Sequence, residues 1–247
     1  MLSKIGKTKF HIESYVCDFN EKATITVVAR LMLDAASIHA QERDFGYEHL
    51  LRDNVTWVMS RLSIQLDEYP GHNEYFTVET WVEAVNRTFT QRCFRFTNQS
   101  GKIIGYANSI WAAIDLTTRR PIDIVSWRPD MMDFIVEEKI CPIEKMSKIP
   151  QLDEIESCMG YTVRYSDIDI NKHMNSAKYI EHAVNTFDLN IFREKFIHKL
   201  DILYLAEGVF GDKVKLYKQS LSEDEYIIDT KKGEESICRI RVNWKKY

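Results

Sequence analysis

Apolar residues along this chain change their spacing twice, in the same order each time. After an expected strand over 9–17 comes ATITVVARLMLDAASIHAQERDFG (23–46). Here Ile25, Val28, Leu31, Ala35, Ile38 and Ala40 recur at an approximate helical spacing and Gly46 supplies a stop signal. The apolar arc is broad, which predicts a helix wrapped on several sides rather than laid on a surface. The period then drops to two in four runs, 55–68, 74–86, 90–98 and 102–115. Turn chemistry in YPGHN, at Asn86-Arg87 and in NQSGK separates them. A second round follows: a strand over 158–165, a polar loop, a helix over 175–189, and strands over 195–204, 211–220, 225–231 and 235–245.

The two rounds echo one another in residues as well as in period. GKIIGYANSIWAAID (101–115) and GEESICRIRVNWKKY (233–247) each open on a Gly turn and carry a Trp late in an alternating run, at offsets of 132 and 133 positions. TVETWVEAVN (77–86) lies 135 positions before DKVKLYKQSL (212–221). An internal duplication of one strand, one long helix and four strands accounts for this. Between the rounds, 121–160 holds nine acidic residues against four basic ones and four of the five prolines, so 126–157 is expected to be an acidic linker. The expected domains are 1–125 and 158–247. The fold class is α+β: a long helix followed by an antiparallel sheet packs most economically with the sheet curled around the helix. Two tandem copies make a pair of hotdog units, with a long apolar seam between helix and sheet suited to a fatty chain.

Composition narrows the function. The chain is 45% hydrophobic and 28% charged, an ordinary globular balance, and its net charge of −4 gives no support to nucleic-acid binding. The five cysteines have neither metal-ligand nor redox spacing, so free thiols in a reducing compartment are expected. No apolar run reaches the roughly 18 residues of a membrane span, and the N-terminal residues read as no leader, so a cytoplasmic location is expected.

Chemistry concentrates in RYSDIDINKHMNSAKYIEHAVNTF (164–187). Asp167, Asp169, Asn171, His173 and Asn175 recur at every second position. In an extended loop they converge on one side, with Ile168, Ile170 and Met174 on the other. A carboxylate, an amide and an imidazole beside a helix N-terminus suit general acid–base work and a developing oxyanion. A solvated loop that caps the helix at Asn175 is the competing reading.

DIDINKHMNSAKYIE resembles the second-hotdog motif of acyl-acyl-carrier-protein thioesterases, D-x-D-x-N-x-H-x-N-N followed by K-Y-I, with Ser176 in place of the second Asn. LMLDAASIHAQERDFG (31–46), WVMSRLSIQLDEYP (57–70), VETWVE, the run Ser109-Ile110-Trp111 and DLTTRRP (115–121) are similar to further segments of that family. The resemblance covers about residue 10 to 247. It implies hydrolysis of fatty acyl-acyl carrier protein thioesters, with Asp169, Asn171, His173 and Glu207 as the catalytic set and neither metal nor cofactor. Members often carry a Cys after the Glu; Gly208 stands here, so a Cys–His mechanism at that place is excluded. Water activated by a carboxylate with His173, and direct attack by Asp169, both stay open.

The resemblance also implies an acyl carrier protein bearing a fatty acyl-phosphopantetheine as partner. That partner is acidic, so salt-sensitive docking is expected on Lys172, Lys178, Arg119 and Arg120, with Lys213, Lys215 and Lys218 as further candidates. Met32, Leu33, Trp57 and Met59 are candidates for lining the acyl chain in the first unit, with ordinary core as the equal alternative. His39 reads as a packed histidine, and Asp34 and Glu42 as solvent-facing. The chain is expected to be a monomer or a homodimer. An acyl-CoA thioesterase and a non-catalytic acyl-binding module are the alternatives; a hydratase is disfavoured because DINKH lacks the Pro and the spacing of D-x-N-P-x-H.

Overall fold

The computed structural model describes residues 3–144, 146–152 and 157–247. The chain divides into two compact units, Met1–Glu144 and Lys145–Tyr247. In the first, β1 (Gly6–His11) precedes α1 (Ile25–Gln41), the short α2 (Tyr47–Arg52), and strands β2 (Val55–Leu66), β3 (Tyr75–Val85), β4 (Thr90–Thr97) and β5 (Ile103–Asp115), followed by a single helical turn, α3 (Ile124–Trp127). These strands pair antiparallel in the order β1-β3-β4-β5-β2. In the second unit, β6 (Met159–Thr162) precedes α4 (Ser176–Val184), α5 (Ile191–Glu194), β7 (Lys195–Tyr204), β8 (Lys213–Ser220), β9 (Glu225–Lys232) and β10 (Glu235–Lys246). The pairing order β6-β8-β9-β10-β7 is the same permutation of first to fifth strand. The expected duplication is therefore one of topology, and each unit has the helix-and-sheet layout of a hotdog.

Local sequence explains the helix ends. Thr24 caps α1, its hydroxyl accepting from the amide of Val27 at 3.3 Å, and Asn175 caps α4, its side chain accepting from Ala177 N at 2.9 Å. Helix α1 buries Val28, Ala29, Met32, Ala35, Ala36 and His39 and packs on β1 and β3. The face differs from the expected one: Leu31 is half-buried and Ile38 is exposed, because the small Ala35 and Ala36 bring the helix close to the sheet instead. The helix also ends earlier than expected, at Gln41. Asp44 takes φ +60° and turns the chain, and Gly46 stands before α2 rather than closing α1. In the second unit the helix ends at Val184, short of the expected 189; Phe187 instead stands edge-on against Tyr226 and Trp244 at 5.2 and 5.0 Å.

The expected linker is not free chain in its described part. Met131 is buried with Phe45, Leu50, Val82 and Ala113, and Trp127, Phe134 and Ile135 pack on the same cluster. Beyond it, Val136 N donates to Val82 O (3.0 Å), the Trp81 indole donates to Lys139 O (2.9 Å), and Cys141 N donates to Glu83 Oε1 (2.7 Å). Residues 124–143 thus strap the first sheet. Ile149 and Leu152 bury against Ile227 of the second unit. Acid and proline content concealed the apolar residues spaced through the segment, each of which gains by leaving water. Residues 145 and 153–156 of the expected linker lie outside the described residues. Among the described residues no helix is long and apolar enough to cross a membrane.

Candidate active site

The segment between β6 and α4 is a folded loop rather than an extended one. A 3-10 turn over Tyr165–Asp167 opens it, an antiparallel bridge joins Ile168 to Met174, and Lys172 turns the chain with φ +66°. Asp169 organises the turn. Its Oδ1 accepts from the amides of Asn171 (2.8 Å) and His173 (3.2 Å), while its own amide donates to His173 O (2.8 Å). This side-chain mimicry of a backbone turn is a habit of Asp, and it breaks the expected period of two. Asp167 turns inward, Ile170 is thrust into solvent and Met174 is buried.

Asp167 is 4% exposed, and it serves the scaffold. Its Oδ2 accepts from Arg164 N at 2.7 Å, and its Oδ1 lies 3.7 Å from Lys178 Nζ and 3.6 Å from His182 Nε2, both on α4. Burial lowers the pKa of His182, against the pull of Asp167, and its ring stacks on Tyr161 at 3.7 Å.

His173 is brought to Glu207. Nε2 of the imidazole lies 3.2 Å from Glu207 Oε2, with side chains 28% and 34% exposed. Glu207 comes from the irregular segment after β7, and Met174 N donates to Gly208 O at 2.7 Å, which seats that segment on the loop. Of the four residues in the expected catalytic set, the structure thus joins His173 to Glu207 and ties Asp169 to the backbone of both Asn171 and His173. Asn171 stands exposed at the loop tip. An open groove of about 510 Å³ lies beside Asp169, lined by Tyr165, Ser166, Ile168 and Phe210. Sequence reasoning passed over Tyr165 and Phe210, yet both are large apolar groups left largely in solvent beside the loop.

The first unit holds the same loop with different chemistry. A 3-10 turn over Ser14–Val16 leads to a bridge between Cys17 and Ala23, and Glu21 takes φ +57°. Asp18 Oδ1 accepts from Asn20 N (2.9 Å) and Lys22 N (3.2 Å), Asp18 N donates to Lys22 O (2.8 Å), and Ala23 N donates to Pro70 O (2.9 Å). Every one of these contacts has its counterpart at Asp169, Asn171, His173, Met174 and Gly208. Lys22 stands where His173 does and Tyr69 where Glu207 does, so the first unit's loop has neither member of the His173–Glu207 pair at the matching positions. The repeated D-x-N at Asp18 and Asp169 was the signal in the sequence for this second echo.

Cys238 is fully buried, and burial holds its thiol well above the ordinary range. His39 is a packed histidine: Nδ1 lies 3.1 Å from Arg92 Nη1 and Nε2 lies 3.1 Å from Lys4 O. Burial, with Arg92 and Arg43, lowers its pKa to about 3. Asp34 and Glu42 are exposed. Met32 and Met59 are buried; Leu33 is half-buried, and Trp57 donates its indole to Phe45 O (3.1 Å) beside Trp127, in a core cluster. Lys178 is committed to Glu181 (2.9 Å), and Lys218 to Thr186 O, so neither is the loose surface cation expected for docking. Lys172, Arg119, Arg120, Lys213 and Lys215 are exposed.

Comparison with known proteins agrees with this layout. The model of the Acyl-ACP thioesterase N-terminal domain matches residues 3–132, and that of the Acyl-ACP thioesterase C-terminal domain matches 151–246. The chain is similar to the crystal structure of an acyl-ACP thioesterase from Bacteroides thetaiotaomicron, with 40% identity, TM-score 0.89 and 98% of each chain covered. It shares the fold of the 12:0-ACP thioesterase from Umbellularia californica, with 20% identity, TM-score 0.90, and 100% and 99% of the two chains covered. It is 27% identical over 209 residues to the chloroplastic palmitoyl-acyl carrier protein thioesterase of Gossypium hirsutum, covering 80% of this chain. The chain spans about half the length of that curated relative, 51%.

Proposed function

We propose a function from one premise: this chain belongs to the acyl-ACP thioesterase family, whose two domain models together match most of its length. Its reaction is hydrolysis of a fatty acyl-acyl carrier protein thioester to free fatty acid and carrier protein. The observation that carries the reading is the contact of His173 Nε2 with Glu207 Oε2 at 3.2 Å, with both side chains partly open to solvent.

The chemistry follows from that pair. Glu207 stabilises the imidazolium that forms when the other ring nitrogen of His173 takes a proton from water. The resulting hydroxide adds to the thioester carbonyl carbon, and in this reading the Asn171 side-chain amide donates to the carbonyl oxygen. Collapse of the tetrahedral intermediate breaks the C–S bond. The leaving thiolate recovers its proton from His173, and the acid departs. Asp169 serves this route by holding the amides of Asn171 and His173, which fixes the imidazole relative to the loop. Its Oδ1 is already charge-stabilised by two N–H donors, a poor state for attack on carbon.

The pantetheine arm of the carrier enters along the groove between Tyr165 and Phe210 in this reading. Lys172 at the loop tip supplies salt-sensitive attraction to an acidic carrier. The test is product identification: purified protein with palmitoyl-acyl carrier protein should release one free thiol per palmitate. Binding without release would overturn the assignment and leave an acyl-binding module.

A further inference from the structure

We propose that Tyr179 is a positioning residue for Glu207, and that Gly208 is the residue that lets it act; this rests on the reading of His173 and Glu207 as the working pair. Glu207 belongs to no helix or strand. The backbone that carries it is held at the two peptide groups that follow. Gly208 N donates to the Tyr179 hydroxyl at 2.9 Å, and Gly208 O accepts from Met174 N at 2.7 Å. The first contact fixes the peptide plane between Glu207 and Gly208. The second fixes the next plane against the loop that carries His173. Together they hold the Glu207 backbone against the loop, with its carboxylate within reach of the imidazole.

The phenol is itself well held. Tyr179 is 3% exposed on α4, its ring stands edge-on to Tyr204 at 5.8 Å, and the Tyr204 hydroxyl donates to Ser176 O at 3.1 Å. Burial raises the pKa of Tyr179 well above the tyrosine range, so the group is a fixed neutral acceptor rather than a base. Gly208 suits the same closeness. A Cβ there would lie 3.0 Å from the Tyr179 oxygen and 3.3 Å from Met174 Cβ, so a side chain fits only if a neighbour gives by a few tenths of an ångström, which loads both anchors. The glycine that removes a thiol from this position thus has a packing reason of its own.

A double-mutant cycle on acyl-carrier hydrolysis tests this, because a group that acts through Glu207 has nothing to act through once the carboxylate is gone. Tyr179→Phe keeps the ring and removes the acceptor. In the otherwise wild-type enzyme we expect kcat to fall about tenfold with KM within about twofold, since small misplacements of a reacting group are costly. In a Glu207→Gln background the same substitution should change kcat by less than about twofold. Gly208→Ala, which pushes on the hydroxyl instead of deleting it, should repeat the pattern. Equal losses in both backgrounds, or none in the wild-type background, overturn the positioning role while the hydrolase reading stands. A wild type that hydrolyses no acyl-carrier substrate overturns both.

Discussion

Glu207→Gln separates catalysis from stability, and the structure says by how much. The carboxylate meets His173 at 3.2 Å with about a third of each side chain in solvent. A polar contact so exposed contributes under about 1 kcal/mol to folding, because water screens it and both groups stay hydrated when it is broken. Glutamine preserves the volume and one oxygen acceptor, so the unfolding free energy should move by less than about 1 kcal/mol. Proton transfer is a different matter. Removing the charge that stabilises the imidazolium should lower kcat about 100-fold, equivalent to about 2.7 kcal/mol of transition-state stabilisation. Asp167→Asn is the complement. That carboxylate is 4% exposed and faces Arg164 N, Lys178 and His182, so its loss should cost about 2–3 kcal/mol of stability. Thiol release at saturating acyl-carrier substrate and urea unfolding of the same preparations give both numbers. A Glu207→Gln enzyme within about threefold of wild type in kcat, or one that loses more than about 2 kcal/mol of stability, would refute the reasoning.

Two further outcomes follow from the same geometry. Asp169→Asn retains an oxygen for the amides of Asn171 and His173, whereas Asp169→Ala retains none, so thiol release should stay within about tenfold of wild type in the first and drop about 100-fold in the second. Abolition of activity by the Asn variant would point to direct attack by Asp169. His39 has its pKa lowered to about 3, against 6.5 in the unfolded chain. Between those values the unfolded state binds a proton that the folded state refuses, so stability falls as pH drops through that window. The loss from pH 7 to pH 5 is about 2 kcal/mol. Urea unfolding at pH 7, 6 and 5 should show that extra slope in wild type and not in His39→Gln, and parallel slopes would contradict it.

The sheets were legible because alternation survives wherever one face is buried. The run expected at 55–68 is β2 at 55–66, and that expected at 195–204 is β7 without change. The duplication showed in Gly101, Trp111, Gly233 and Trp244, since closing strands keep their turn and their large side chain. What failed were features decided by contacts between segments. Ile38 fits a helical period yet faces solvent, because periodicity cannot tell which of two apolar stripes the sheet will cover. The 124–143 strap was hidden by its own charges. In the site, the Asp169 turn defeated a period-two reading through a local hydrogen bond that strand logic ignores. The pairing of His173 with Glu207 joins two separate segments, and only likeness to a family indicated it.

The most direct measurement is thiol release from palmitoyl-acyl carrier protein, a shorter acyl-carrier substrate and palmitoyl-CoA, by wild type and by folded His173→Ala. We expect wild type to favour the carrier-protein substrates over the CoA ester, with the variant slower by at least about 100-fold on each. A wild type inert on all three, or a His173→Ala enzyme that matches it, would contradict hydrolysis by this pair.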